Sequence, residues 1–267
     1  MFTRRVRVGL GAMLGLACGA PALCEPPTTQ VCSQTSRPSS QQAVEHPTPA
    51  AALERLRQGN ERYVNDTPAH AHQYAKRRVE TVENGQHPFA VVLACSDSRV
   101  APELIFDQGL GDLFVVRVAG NVIAGDECGS IEYGVEHLGT PLVVVMGHSQ
   151  CGAVTAAVEH AHEHGSIPEL LHHIEPAVHR AEQTCPGKSK AEITDAAIRA
   201  NVFGSIEELL THSELLRSAI RAEKVQVVGA VYDLKSGMVQ WLGPHPRQAE
   251  LVCGSHQDGF VAARDQH

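Results

Sequence analysis

Residues 89–99, FAVVLACSDSR, run without a polar side chain from Phe89 to Cys95 and then turn abruptly polar and charged. An apolar, β-branched run of this length with no alternation reads as a strand covered on both faces, the pattern of a parallel sheet, although periodicity alone leaves a short buried helix open. Two more such runs follow: residues 113–118 (LFVVRV) and 142–146 (LVVVM), the latter turning through Gly147, His148, Ser149, Gln150, Cys151 and Gly152. Between them, Ile131, Val135 and Leu138 recur at helical spacing within residues 128–138. Strand, helix, strand is the unit from which parallel sheets are built.

Working outward, residues 51–63 and 70–83 carry helical patterns. Further helices are expected from 152, at about 168–183, at 190–210 and at 212–222. Residues 225–231 (VQVVGAV) and 238–242, joined through Lys235, Ser236 and Gly237, read as a strand with a hairpin partner. The expected fold is α/β, with a mainly parallel central sheet of about four strands flanked by helices and a C-terminal strand or hairpin.

The first residues read as an address. Arg4, Arg5 and Arg7 precede an uncharged apolar stretch from Val8 to Ala22 that is too short to span a bilayer, and small residues follow. Residues 1–24 are therefore expected to be a signal peptide, with export to the periplasm or beyond and no stable membrane insertion after cleavage. Residues 25–49 are rich in Pro, Ser, Thr and Gln and read as a disordered linker. Residues 50–245 are expected to form one domain and 246–267 a C-terminal tail. The chain has 22 basic and 30 acidic residues, a formal charge of -8, and losing the three leader arginines takes it to -11. Nucleic acid is thereby excluded as an expected partner.

In parallel sheets, ligands bind at the carboxyl edge. Cys95 follows the first strand, and His148 with Cys151 follows the third. Thiolates and imidazole are ligands that zinc prefers, and three firm ligands leave a fourth position open to Asp97 or to water. If Asp97 binds the ion the site is closed. If Arg99 draws that carboxylate into a bidentate pair, water enters. Spacing alone leaves three readings: catalytic zinc, structural zinc, and a Cys95–Cys151 disulfide.

At these two segments the sequence resembles the β-carbonic anhydrase family, whose signature is Cys-Ser-Asp-Ser-Arg followed some fifty residues later by His-x-x-Cys. The likeness extends over roughly residues 51–242 and includes Phe114 to Arg117, Ala119-Gly120-Asn121 and Tyr133. The resemblance implies one zinc per chain held by Cys95, His148 and Cys151, with Asp97 a further ligand only in a closed form. It also implies reversible hydration of CO2 to bicarbonate and a proton by zinc-bound hydroxide, with Asp97 and Arg99 as the catalytic dyad. Gln86, Phe114, Tyr133 and Gly152 are implied to face the substrate, part of the cleft coming from a neighbouring subunit of a homodimer or dimer-based oligomer. Family members closed by bicarbonate carry a tryptophan three residues before the first zinc cysteine. Val92 stands there, so an open arrangement is expected.

Two rival functions keep the same site: hydrolysis of carbon disulfide or a related heterocumulene, and a non-catalytic zinc scaffold. The histidines at 160, 162, 164, 172, 173 and 179 could relay protons. Cys32, Cys128, Cys185 and Cys253 remain, with Cys185–Cys253 one possible bridge.

Overall fold

The computed structural model describes residues 46–254. The expected leader, most of the linker and residues 255–267 of the expected tail lie outside them. Two helices, α1 (Pro49–Val64) and α2 (Ala75–Asn84), precede β1 (Ala90–Ala94). Then come α3 (Pro102–Ile105), β2 (Leu113–Arg117), a 3-10 turn (Ala119–Asn121), α4 (Gly125–Glu136), β3 (Leu142–His148) and α5 (Gly152–Val158). The chain continues through α6 (Ile167–His172), α7 (Glu175–Thr184), α8 (Lys190–His212) and α9 (Glu214–Arg221), then β4 (Gln226–Tyr232), β5 (Val239–Gly243) and α10 (Gln248–Cys253).

The strands form one sheet in the order β2-β1-β3-β4-β5. The first four are parallel and β5 runs antiparallel to β4. Both faces of β1, β3 and nearly all of β4 are buried, as uninterrupted apolar runs require, whereas β2, expected to be covered on both faces, is only partly buried because it lies at the sheet edge, as does β5. Val91, Leu93, Val143, Val145, Val227 and Val231 point to the side covered by α4, α5 and α7 to α10. Their alternates, Ala90, Val92, Ala94, Val144, Met146 and Val228, point to the side covered by α1, α3 and Trp241.

Three elements depart from the sequence expectation. The single helix at 168–183 is two, α6 and α7, divided at His173–Ile174 just before Pro176. The helix expected from residue 70 begins at Ala75, because His70 and His72 take left-handed backbone angles. Order also continues beyond residue 245, since α10 buries Leu251 and Val252 in the larger core. No helix among the described residues is long and apolar enough to cross a membrane.

Candidate metal centre

From β1 the chain moves outward to β2 and then crosses back to β3 on the other side, so β1 and β3 flank the point where strand order reverses. Loops diverge there and leave a crevice at the carboxyl edge. Ala94 lies beside Met146 in the register, so Cys95 leaves the sheet next to Gly147 and His148. Cys151 caps α5, which starts immediately after the turn. Ligand atoms of Cys95, His148 and Cys151 consequently lie within 4.8 Å of one another, and all three residues are buried. Both thiols are free, so the disulfide reading does not hold.

The donor set suits a soft or borderline cation. His148 Nδ1 faces the Ser149 carbonyl at 2.9 Å, while Nε2 is buried and has no hydrogen-bond partner. A buried imidazole nitrogen left unpaired is costly unless something binds it, and Nε2 is the nitrogen on the cluster. The Cys95 thiol is pushed down to about 4, first by its hydrogen bond with Cys151, with further help from His148 and the N–H of Gly120. The Cys151 thiol is pushed up, first by Cys95 and then by burial, although the N–H groups of Val154 and Ala153 at the start of α5 oppose this. Ionisation of one sulfur thus opposes ionisation of the other, and a divalent cation bound between them would favour both thiolates.

Asp97 stands beside this cluster and is held away from it. Arg99 clamps the carboxylate from Nε to Oδ1 at 3.0 Å and from Nη2 to Oδ2 at 2.7 Å, and the Arg99 N–H adds a third bond at 2.9 Å. Arg99 chiefly holds the Asp97 carboxyl well below the usual carboxylate range. Asp97 Oδ2 is 3.9 Å from His148 Nε2. Beneath the loop, Arg117 donates from Nε to the Cys95 carbonyl at 3.1 Å and from Nη2 to the Asp97 carbonyl at 2.7 Å.

A carbonic anhydrase family model matches residues 90–239. The chain is 39% identical over 194 residues to carbonic anhydrase 2 of Mycobacterium tuberculosis, covering 71% of this chain and 90% of that one. Its fold superposes on the crystal structure of the β-carbonic anhydrase CafA of Aspergillus fumigatus with a TM-score of 0.60 at 26% identity, covering 76% and 96%. The chain belongs to the β-carbonic anhydrase family. It is a carbonic anhydrase enzyme, and 38% identity over 197 residues to the carbonic anhydrase of Mycolicibacterium smegmatis, covering 72% and 92%, agrees. A chain from the crystal structures of two tetrameric β-carbonic anhydrases of Sordaria macrospora shares the fold, with TM-score 0.57, 24% identity and coverage of 73% and 95%.

Not every expected site residue joins the cluster. Phe114 sits opposite Val91 in the sheet, four residues before Cys95 and so about 13 Å along the strand from it. It forms an aromatic pair with Tyr133, ring centres 6.1 Å apart, rather than part of the metal crevice. Gln86 is exposed before β1, at the other end of that strand. Gly152 opens α5 with free space around its Cα. Among the described residues the six histidines from 160 to 179 form no metal-binding group, and Cys185 and Cys253 are both free. What the sequence reading missed is the backbone support, namely Arg117 under the loop and the Gly120 N–H directed at Cys95 Sγ at 3.3 Å. The succession of Gly120 and Asn121, residues that tolerate left-handed angles, was the available signal.

Proposed function

We propose that the chain reversibly hydrates CO2 to bicarbonate and a proton at one zinc ion held by Cys95 Sγ, His148 Nε2 and Cys151 Sγ. The observation that carries this reading is the Arg99 clamp on Asp97, which holds the carboxylate off the three buried residues that would hold the ion and would leave a fourth ligand place to water. A purely structural site has no use for such a clamp. Bound there, zinc supplies the positive charge that lowers the pKa of water from about 16 to about 7.

The chain's own groups do the remainder. The Ser149 carbonyl fixes the His148 tautomer by accepting a hydrogen bond from Nδ1–H, so that Nε2 carries the lone pair. Asp97 is ionised and can only accept hydrogen bonds, so its carboxylate takes the O–H of the attacking water and directs the oxygen lone pair at the carbon of CO2. Arg99 keeps that carboxylate from crossing to the cluster, and the proton released in hydration passes to buffer.

The working unit is a dimer or a multiple of one. Phe114 and Tyr133 lie away from the metal edge of their own chain, and Tyr133 is 47% exposed, so a cleft that uses them takes them from a second copy. The tetrameric Sordaria relatives support this. The order of basic, apolar and small residues at the start of the chain supports export, with residues 1–24 removed and residues 50–245 as the catalytic domain.

Stopped-flow CO2 hydration on metal-quantified protein from about pH 6.5 to 9, alongside Asp97→Asn, tests the reading. One zinc per chain and turnover reduced about 100-fold or more in the variant are expected. One zinc with no turnover at any pH would overturn it.

A further inference from the structure

The 3-10 turn at residues 119–121 touches all three ligand-bearing segments at once. Gly120 N–H donates to Cys95 Sγ. A Cβ on Gly120 would lie 3.3 Å from that of Ala153, two residues past Cys151, and 2.7 Å from Ile174 Cδ1. With φ of 70° there is neither room nor a favourable backbone for any other residue. Asn121 Oδ1 lies against Gly147, the residue before His148, 3.6 Å from where a Cβ would stand. Asn121 is itself left-handed, at φ 45°.

Two left-handed residues in succession need to be held. The hold comes from α8, where Asn201 Nδ2 donates to the Gly120 carbonyl at 2.7 Å and Ser205 Oγ donates to the Asn121 carbonyl at 2.9 Å. Asn201 and Ser205 are four residues apart, hence on one helix face, and both are buried. The Gly120 carbonyl shares its planar peptide unit with the Asn121 N–H, which donates to the Val118 carbonyl at 3.1 Å, so that unit is held from both sides and the Gly120 Cα, from which the preceding Gly120 N–H extends, is held with it. Gripping Gly120 O and Asn121 O therefore fixes the turn from which Gly120 N–H reaches the sulfur.

We propose that Asn201 and Ser205 are positioning residues for the metal centre: through the 119–121 turn they aim the Gly120 N–H at Cys95 Sγ and set how firmly that thiolate is held for the ion. The inference rests on the zinc reading above. Partners one step removed from a metal ligand, here the Gly120 N–H, change metal affinity by about ten- to a hundred-fold, and Asn201 and Ser205, which hold that partner, act at the lower end of this range. A merely structural role would instead cost stability and leave the metal's behaviour alone.

The test uses Asn201→Leu, Ser205→Ala and the double variant, with Ile206→Val as a control that trims the core from the same helix. Three quantities are read at fixed pH: zinc release to a chromogenic chelator, the sulfur-to-cobalt charge-transfer band of the cobalt-substituted protein, and the thermal midpoint. Zinc release about ten-fold faster in the double variant with a shifted band is expected. Ser205→Ala, the smallest truncation, should move both in the same direction by a lesser amount, while Ile206→Val lowers the midpoint and moves neither. Release and band unchanged in folded Asn201→Leu and Ser205→Ala would overturn the inference, as would equal changes in Ile206→Val. A wild-type chain that takes up neither zinc nor cobalt would overturn the zinc reading and this inference with it. Normal uptake with variants that match wild type would overturn this inference alone.

Discussion

Arg117 closes β2 with its guanidinium spread across two carbonyls of the metal loop, those of Cys95 and Asp97. One planar group thereby ties a candidate metal ligand to the residue proposed to orient the nucleophile. Arg117→Ala frees both carbonyls, and zinc affinity should fall about ten-fold with turnover reduced as well. Arg117→Lys keeps the charge but lacks the fork that spans two acceptors, so it should restore less than half of the lost binding free energy. Zinc competition against a chelator on the two variants checks this, and full recovery with lysine would show that charge alone matters. The contrast with Cys95, His148, Cys151, Asp97 and Arg99 explains what a sequence discloses at this scale. Those five announce themselves because their side chains are the groups to which the proposed chemistry is assigned. Arg117, Asn201 and Ser205 act on backbone groups, and nothing in the identity of an arginine, asparagine or serine says which carbonyl it will meet.

Elements were legible where a pattern is local. The three apolar runs, the helix before β3 and the closing hairpin follow from periodicity and β-branching, and they determine the sheet. The late start of α2 does not follow, because its cause lies over thirty residues away: Asp107, buried between α3 and β2, accepts the N–H groups of Ala69 and His70 at 2.9 and 3.1 Å and Arg62 Nε of α1 at 2.5 Å. Burial alone would raise the Asp107 carboxyl, but the Ala69 N–H, Arg62 and the His70 N–H outweigh it, so its pKa is lowered. Asp107 is left-handed at φ 46°, and asparagine tolerates that backbone, so Asp107→Asn removes the charge without straining the chain. The variant should lose about 1–3 kcal/mol. The midpoint of thermal unfolding would fall by about 2–4 °C for each kcal/mol. A group whose pKa is lowered on folding stabilises above its unfolded value and ceases to do so as pH falls through its folded one. The gap between wild type and Asp107→Asn should therefore be full near pH 7 and shrink once pH drops below about 4. A gap that is constant from pH 3 to 7 would mean that the carboxylate's charge contributes nothing.

At the scale of the whole molecule, one chain leaves surface that a second copy would complete. β2 is an edge strand, paired on one side only within the described sheet, and such edges are usually covered or blunted. Nearby, α2 buries none of its residues, yet carries Val79 and Val82, the latter 84% exposed. Arg77 of α2 is nonetheless fastened to the Leu110 carbonyl at 2.9 Å, so the helix holds these valines in a fixed place beside the loop that leads into β2. Val82→Glu separates the two possibilities. On a monomer, replacing so exposed a side chain should alter stability by less than about 0.5 kcal/mol. Within an interface between copies, the new carboxylate would be buried without a partner, and association should weaken steeply. Sedimentation velocity over a hundred-fold concentration range is expected to show wild type as a dimer or larger, and Val82→Glu shifted toward monomer with an unchanged melting curve for the separated chain. CO2 hydration should fall in step with dissociation, because each metal edge would lose the Phe114 and Tyr133 of its neighbour. A variant that sediments like wild type would place the contact elsewhere, and a monomeric wild type with full turnover would show that one chain completes its own cleft.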